Sequence, residues 1–127
     1  RWLVRAGLTS ALMTAAKKLA RQPRPRSCLL TCGMPSGHST YALTMLCILL
    51  WDFVLLQPQL PKREHAGRSA VLAVLFVPIL WSRVELGDHS LAQVLAGSML
   101  GLSVTALCIW AELRRSMRRG AQSFDDE

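Results

Sequence analysis

The residues SLAQVLAGSMLGLSVTALCIW, at positions 90–110, decide the fold class of this chain. They lie within a run of 23 residues, 89–111, that contains no Asp, Glu, Lys or Arg. A helix rises about 1.5 Å per residue, and about 20 apolar residues span the hydrocarbon core of a bilayer. The run is therefore long enough to predict one transmembrane helix.

Two further uncharged runs precede this one, at 27–51 and 69–82. The first divides at a Pro-Ser-Gly sequence into a loop and a helix over 38–56, and the second extends to a helix over 67–86. Any one such segment could be a buried helix of a soluble protein. Three of them within so short a chain favour a membrane protein.

Residues 2–20 have apolar side chains at three- and four-residue spacing, which predicts a fourth helix. Within 97–101 the pattern Gly-x-x-x-Gly offers a flat strip on which another helix can pack closely. We therefore predict an all-α, integral membrane helical bundle with four helices, and a single membrane-embedded domain over residues 1–127.

The composition excludes several other classes of protein. Of 127 residues, 51% are hydrophobic and 18% are charged, with a net charge of +7 and a mean hydropathy of +0.28. Such a chain has too much apolar surface for intrinsic disorder, and four cysteines are too few for a disulfide-stabilised miniprotein. The basic residues cluster between the uncharged runs instead of alternating with aromatic residues, so we expect no nucleic-acid partner.

The four predicted helices place the connecting segments on two faces of the membrane. The loop 17–36 and the turn 83–89 share one face, while the loop 57–68 and the tail 112–127 share the other. The second face has seven Lys and Arg residues, which favours the cytosol. The tail, basic and then acidic, is accordingly expected to be cytosolic. The first face is basic too, so this orientation depends on whether its cations serve another purpose.

The residues of the first face form a candidate anion-binding site. A helix that begins at a Pro-Ser-Gly sequence presents free N–H groups and the positive end of its dipole to an anion. The candidate residues, from three separate parts of the chain, are Lys17, Arg24, Ser36, Gly37, His38, Arg83 and His89. Taken singly, the two first cations could snorkel to the interface, Ser36 could be a plain N-cap, and His38 could be a solvated residue of the first turn.

The spacing of these residues resembles a known signature. The chain contains three short sequences in this order: Lys17-x6-Arg24-Pro25, Pro35-Ser36-Gly37-His38 and Ser82-Arg83-x5-His89. Together they are similar to the three-part motif of the type 2 phosphatidic acid phosphatase superfamily, which includes membrane lipid phosphatases and vanadium haloperoxidases. Membrane members have six transmembrane helices. The resemblance thus implies that this chain is an N-terminally truncated fragment containing the last four.

The resemblance also implies roles for the site residues. His89 would be the nucleophile that forms a phosphohistidine, and His38 the general acid that protonates the leaving oxygen. The phosphoryl oxygens would be held by Lys17, Arg24, Ser36, Gly37 and Arg83. A ring of cations suits the charge of a phosphoryl-transfer transition state. We therefore expect a metal-independent phosphoric ester or anhydride hydrolase without a cofactor.

One position departs from the superfamily pattern. Where that motif has an Asp, four residues after the nucleophile, this chain has Gln93, which completes the predicted catalytic set. Its amide oxygen can accept a hydrogen bond from Nδ1 of His89 and so select the tautomer, but it adds no negative charge. Cys28 and Cys32, in the loop of the same face, could form a disulfide or remain free thiols.

The local sequences point to a branch of the superfamily. Three local sequences are similar to those of dolichyl diphosphate phosphatases: Gly-Met-Pro-Ser at 33–36, Ser-Arg-Val at 82–84 and His-Ser-Leu-Ala-Gln-Val at 89–94. That branch often has Ser where this chain has Gly37. The implied substrate is dolichyl (polyprenyl) diphosphate, in the endoplasmic reticulum membrane with the active site facing the lumen. Alternatives are a phosphatase of phosphatidate or another lipid phosphate, a catalytically silent member that binds lipid phosphate, and a soluble haloperoxidase relative.

Overall fold

The computed structural model describes residues 2–25 and 33–125, in which every regular element is helical. The elements are α1 (Trp2–Ala20), α2 (Gly37–Leu50) with a π-helical extension (Trp51–Leu55), α3 (Lys62–Glu85) and α4 (Leu91–Asp125). Among these described residues, three stretches are long and apolar enough to cross a membrane: Gly37–Leu55, Lys62–Glu85 and Leu91–Arg119. The predicted all-α, membrane-spanning helical bundle is confirmed.

Two helices are longer than the uncharged runs that predicted them. Helix α3 begins at Lys62, directly after Pro61, and so includes a basic turn. Helix α4 continues past Trp110 through the basic cluster to Asp125, because Glu, Leu, Arg and Met in that segment are all good helix formers. At 35 residues it is about 52 Å long, against a hydrocarbon core of about 30 Å, so one end of α4 extends out of the bilayer.

The packing of α2 against α4 forms the centre of the bundle. A Cβ atom added to Gly97 would lie 2.5 Å from the carbonyl oxygen of Ser36, and one added to Gly101 would lie 2.7 Å from that of Thr40. The hydroxyl of Thr44 donates a hydrogen bond of 3.3 Å to the carbonyl oxygen of Gly101. The close helix approach predicted from the Gly-x-x-x-Gly pattern is therefore present.

A buried ionic cluster joins three elements at the opposite end of the bundle from the predicted site. The guanidinium of Arg5, in α1, bonds to Asp52 of the π-helical extension at 2.9 Å and also to Glu112 of α4. Only 6% of the Arg5 side chain is exposed. Lys17 lies twelve residues further along α1, about 18 Å away along the axis. The C-terminal ends of α1 and α3 and the N-terminal ends of α2 and α4 thus meet at one end, called here the site end.

Candidate functional site

A cavity of about 470 Å³ opens at the site end of the bundle. It collects five of the predicted site residues from four separate segments: Lys17 of α1, Arg24 of the following loop, Gly37 and His38 of α2, and His89 just before α4. The two histidines therefore lie on the same side of the bundle. Two cations, two imidazoles and a helix N-terminus form one end of the cavity.

The rest of the cavity wall is mostly apolar, and it was not predicted from the sequence. The additional lining residues are Met13, Tyr41, Ala42, Met45, Phe76 and Ile79. Four of the α2 residues that line the cavity, at positions 38, 41, 42 and 45, have the spacing of a single helix face. That spacing was readable, but nothing in the sequence distinguished this face of α2 from the face that packs on α4.

Lys17 and Gly37 lie close together at the N-terminus of α2. A Cβ atom added to Gly37 would lie 3.8 Å from Nζ of Lys17 and 2.9 Å from Sδ of Met13. The absence of a side chain at Gly37 leaves room for the ammonium group and the sulfur beside the first turn. The positive charge of the lysine therefore adds to that of the helix dipole at this end of the cavity.

Ser36 is held in the helix cap. It is fully buried, and its Oγ accepts hydrogen bonds from the Ser39 N–H at 3.5 Å and from the Ser39 hydroxyl at 3.0 Å. The N-cap interpretation is confirmed. Ser36 is not among the residues that line the cavity.

Arg83 lies next to His89 without lining the cavity. Its carbonyl oxygen accepts the His89 N–H at 3.1 Å, and its Nη1 donates to Oδ2 of Asp88 at 3.3 Å. Its Nε is buried and has no hydrogen-bond partner among residues 2–25 and 33–125. A buried donor without a partner is unfavourable by about 1–3 kcal/mol, so Nε of Arg83 remains available to an acceptor.

His89 is buried, with 3% of its surface exposed, and its pKa is lowered from the ordinary value. Desolvation is the largest cause, and the charges of Arg24 and Lys17 act in the same direction, whereas hydrogen bonds to Gln93 and to the Gly33 backbone raise the pKa and offset part of the effect. The net result favours the neutral imidazole, the form that has a lone pair for nucleophilic attack.

Gln93 contacts the loop after α1, the residue before α2 and the residue His89 before α4. Its Oε1 lies 3.2 Å from Nδ1 of His89, its Nε2 donates to the carbonyl oxygen of Pro23 at 2.9 Å, and its own carbonyl oxygen accepts the Ser36 N–H at 3.0 Å. The side chain is buried, with 5% of the residue exposed. The contact with Pro23 was not expected from the sequence, because it depends on the path of the loop after α1.

Two other expectations concern a disulfide in the loop of this face and metal-independent catalysis. Cys28 and Cys32 lie outside the described residues. Within the described residues, no group of three or more His, Cys, Asp or Glu side chains is arranged to hold a metal ion.

Comparison with known proteins identifies the family of the chain. No curated protein and no solved structure matches it. The sequence model of the PAP2 superfamily matches residues 2–117, which include all the helices that form the cavity and every predicted site residue. The chain therefore belongs to the PAP2 superfamily.

Proposed function

We propose that the chain is a membrane-embedded phosphatase of lipid phosphates or diphosphates that acts through a phosphohistidine. Membership of the PAP2 superfamily supports a phosphoester hydrolase in general. The observation that carries the proposal is the two-part cavity, in which Lys17, Arg24 and both histidines stand at one end and apolar side chains from three helices form the remainder. This division suits an amphiphile with a phosphate head and a hydrocarbon tail.

The reaction takes place in two displacements at phosphorus. Nε2 of neutral His89 attacks, the bond from phosphorus to the leaving oxygen breaks, and His38 gives that oxygen a proton. Water then attacks the phosphohistidine, its proton passes to His38, and cleavage of the P–N bond releases inorganic phosphate. Lys17, Arg24 and Arg83, with the start of α2 at Gly37, stabilise the phosphoryl oxygens during both displacements, and Ser36 holds this helix start in place as its N-cap.

The first substrate we propose is dolichyl (polyprenyl) diphosphate, and the second is phosphatidate or a related lipid phosphate. The sequences around Gly33 and His89 that resemble the dolichyl diphosphate phosphatases support the first choice. The deciding experiment assays the purified full-length protein on both lipids in mixed micelles, beside His89→Ala. Phosphate release by the parent and its loss in the variant are expected. A parent that hydrolyses neither lipid would refute the proposed function.

We also propose that turnover needs no metal ion, because the cations of the cavity supply the charge that a metal would provide. The same assay repeated with a chelator tests this point. Unchanged rates after chelation are expected, whereas rates that fall and are restored by added Mg²⁺ would contradict it.

The proposed location is the endoplasmic reticulum membrane, with the site end in the lumen and the tail 112–127 in the cytosol. Once the cations of the site end are assigned to substrate, those of the loop 57–68 and of the tail carry the positive-inside signal. A glycosylation or protease-protection test places residues 62–68 on one side of the membrane. Their appearance in the lumen would overturn this orientation.

A catalytically silent, lipid-phosphate-binding member is the second candidate function. Gln93 favours it, because an amide cannot stabilise an imidazolium as a carboxylate does. Binding of lipid phosphate by both the parent and His89→Ala, with turnover by neither, would identify a silent member.

A further inference from the structure

We propose that Gln93 is a positioning residue that needs its amide nitrogen as much as its amide oxygen, because the two atoms link the loop of Arg24 to the ring of His89. The inference rests on the proposed function for its kinetic consequences. Its structural content, that a carboxylate cannot replace this amide, holds independently of the substrate.

The orientation of the Gln93 amide is fixed by partners of known character. The carbonyl oxygen of Pro23 only accepts hydrogen bonds, so the group 2.9 Å from it is the NH₂ end. The Ser90 N–H only donates, and it lies 3.2 Å from the other end, which is therefore the oxygen. Two separate contacts thus agree on which end of the amide faces His89.

This orientation selects the tautomer of His89. The amide oxygen only accepts, so a hydrogen bond between it and Nδ1 of the ring, 3.2 Å away, requires the proton on Nδ1. The neutral ring then has its lone pair on Nε2, the nitrogen that attacks phosphorus in the proposed reaction. The carbonyl of Pro23 therefore contributes to the choice of His89 tautomer, because it orients the Gln93 amide that contacts the ring.

The same amide connects the nucleophile to the cationic loop. Pro23 directly precedes Arg24, a cavity-lining residue, and the backbone of Gly33 lies close to its carbonyl group. A Cβ atom added to Gly33 would lie 2.3 Å from the Pro23 carbonyl oxygen. A bond from Gln93 to this carbonyl therefore holds the backbone that carries the Arg24 guanidinium at a defined distance from His89.

A carboxylate at this position can accept the hydrogen bond from His89 but cannot donate one to the carbonyl of Pro23 in the loop. In Gln93→Glu the side chain keeps its length and gains a stronger acceptor for Nδ1, yet it brings an oxygen to the acceptor-only carbonyl of Pro23. In Gln93→Asp the side chain is also one methylene shorter. The negative charge gained beside the imidazole is thus offset by a loosened phosphate-binding loop.

The test compares Gln93→Glu and Gln93→Met with the parent. Inorganic phosphate is the binding probe, and its dissociation constant is measured by the thermal stabilisation of each protein in detergent. Both variants lose the bond to Pro23, so phosphate binding should weaken about tenfold or more in each. Turnover of phosphatidate or dolichyl diphosphate should also fall in both variants. Gln93→Glu keeps the acceptor for His89 but lacks the donor for Pro23, and Gln93→Met lacks both.

If Gln93 acts only as an acceptor for His89, Gln93→Glu should bind phosphate as the parent does and turn over at least as fast. That result would overturn the proposal. Gln93→Met is the control for charge, because it removes the bond to Pro23 without adding a carboxylate to the buried site; phosphate binding by Gln93→Met as tight as that of the parent would assign the effect in Gln93→Glu to charge and overturn the proposal as well.

A measurement on the unaltered protein covers the case in which the variants do not fold. ¹⁵N chemical shifts of histidine-labelled protein distinguish the two tautomers, and His89→Ala identifies the His89 signals. Protonated Nδ1 in the neutral ring is expected, and protonated Nε2 would refute the inference. Because neither the shifts nor phosphate binding requires turnover, a parent that hydrolyses no lipid defeats the proposed function and leaves this inference to be decided separately.

Discussion

Gly97→Ala should damage the site although Gly97 does not line the cavity. The added methyl group would lie 2.5 Å from the carbonyl oxygen of Ser36 and 3.2 Å from both the Ser36 nitrogen and Oγ1 of Thr40. Ordinary contact requires about 3.5 Å, so α2 and α4 must separate by about 1 Å. Two of the three opposing atoms belong to the backbone, so a change of rotamer cannot relieve the clash.

The expected loss of stability follows from two opposing effects. Overpacking of this kind costs about 1–3 kcal/mol, and replacement of a helical glycine by alanine returns about 1 kcal/mol. The net loss is therefore about 0–2 kcal/mol in the free energy of unfolding. The effect on turnover should be larger, because Ser36 and Gln93 share a backbone hydrogen bond beside the clash, and a displacement of about 1 Å in a catalytic site costs about 100-fold in rate.

The assay measures the thermal unfolding midpoint in detergent and the phosphatase rate of the same preparation. Gly7→Ala is the matched control, since a Cβ atom at Gly7 of α1 has no atom within 4 Å. The control should retain the parent's rate and gain about 1 kcal/mol in stability, because Gly7 is also a helical glycine. If Gly97→Ala is as stable and as active as Gly7→Ala, the close contact of α2 and α4 does not position the site.

Three further predictions concern other parts of the molecule. Arg5→Ala leaves two partly buried carboxylates without their cation and should cost about 3–5 kcal/mol in thermal unfolding, whereas Arg68→Ala, which removes a largely exposed ion pair, should cost less than about 1 kcal/mol; equal losses would contradict this. Because the pKa of His89 is lowered, the folded protein binds fewer protons than the unfolded chain below about pH 6.5. Its stability should therefore decrease as the pH falls from about 6.5 through the folded-state pKa of His89. An NMR titration that gives His89 a pKa at or above about 6.5 would be inconsistent with the structure. Met45→Trp narrows the apolar part of the cavity and should raise KM for a long-chain lipid phosphate but not for a water-soluble phosphate ester; a parallel rise in both would argue against a tail-binding wall.

The fold class and the grouping of the site were predictable from the sequence, because both depend on local properties. A run such as 89–111 has the length and lack of charge of a membrane-spanning helix whatever it packs against. Successive crossings then place alternate connections on the same face, which brought Lys17, His38 and His89 to one end of the bundle. The end of α4 was predicted less well, because charge marks where a helix leaves the bilayer and not where the helix stops.

The tertiary structure alone decided which atoms meet. Periodicity could not show that the Gln93 amide reaches the Pro23 carbonyl or that Arg5 bonds to two carboxylates. Each of these contacts joins segments that are distant in the sequence, so it depends on how the helices pack and on the path of a loop. The sequence by itself therefore determined a membrane bundle with a cationic, histidine-containing end, and the packing determined how the nucleophile, the loop and the apolar wall are arranged there, because side-chain contacts between distant segments depend on geometry that no local pattern contains.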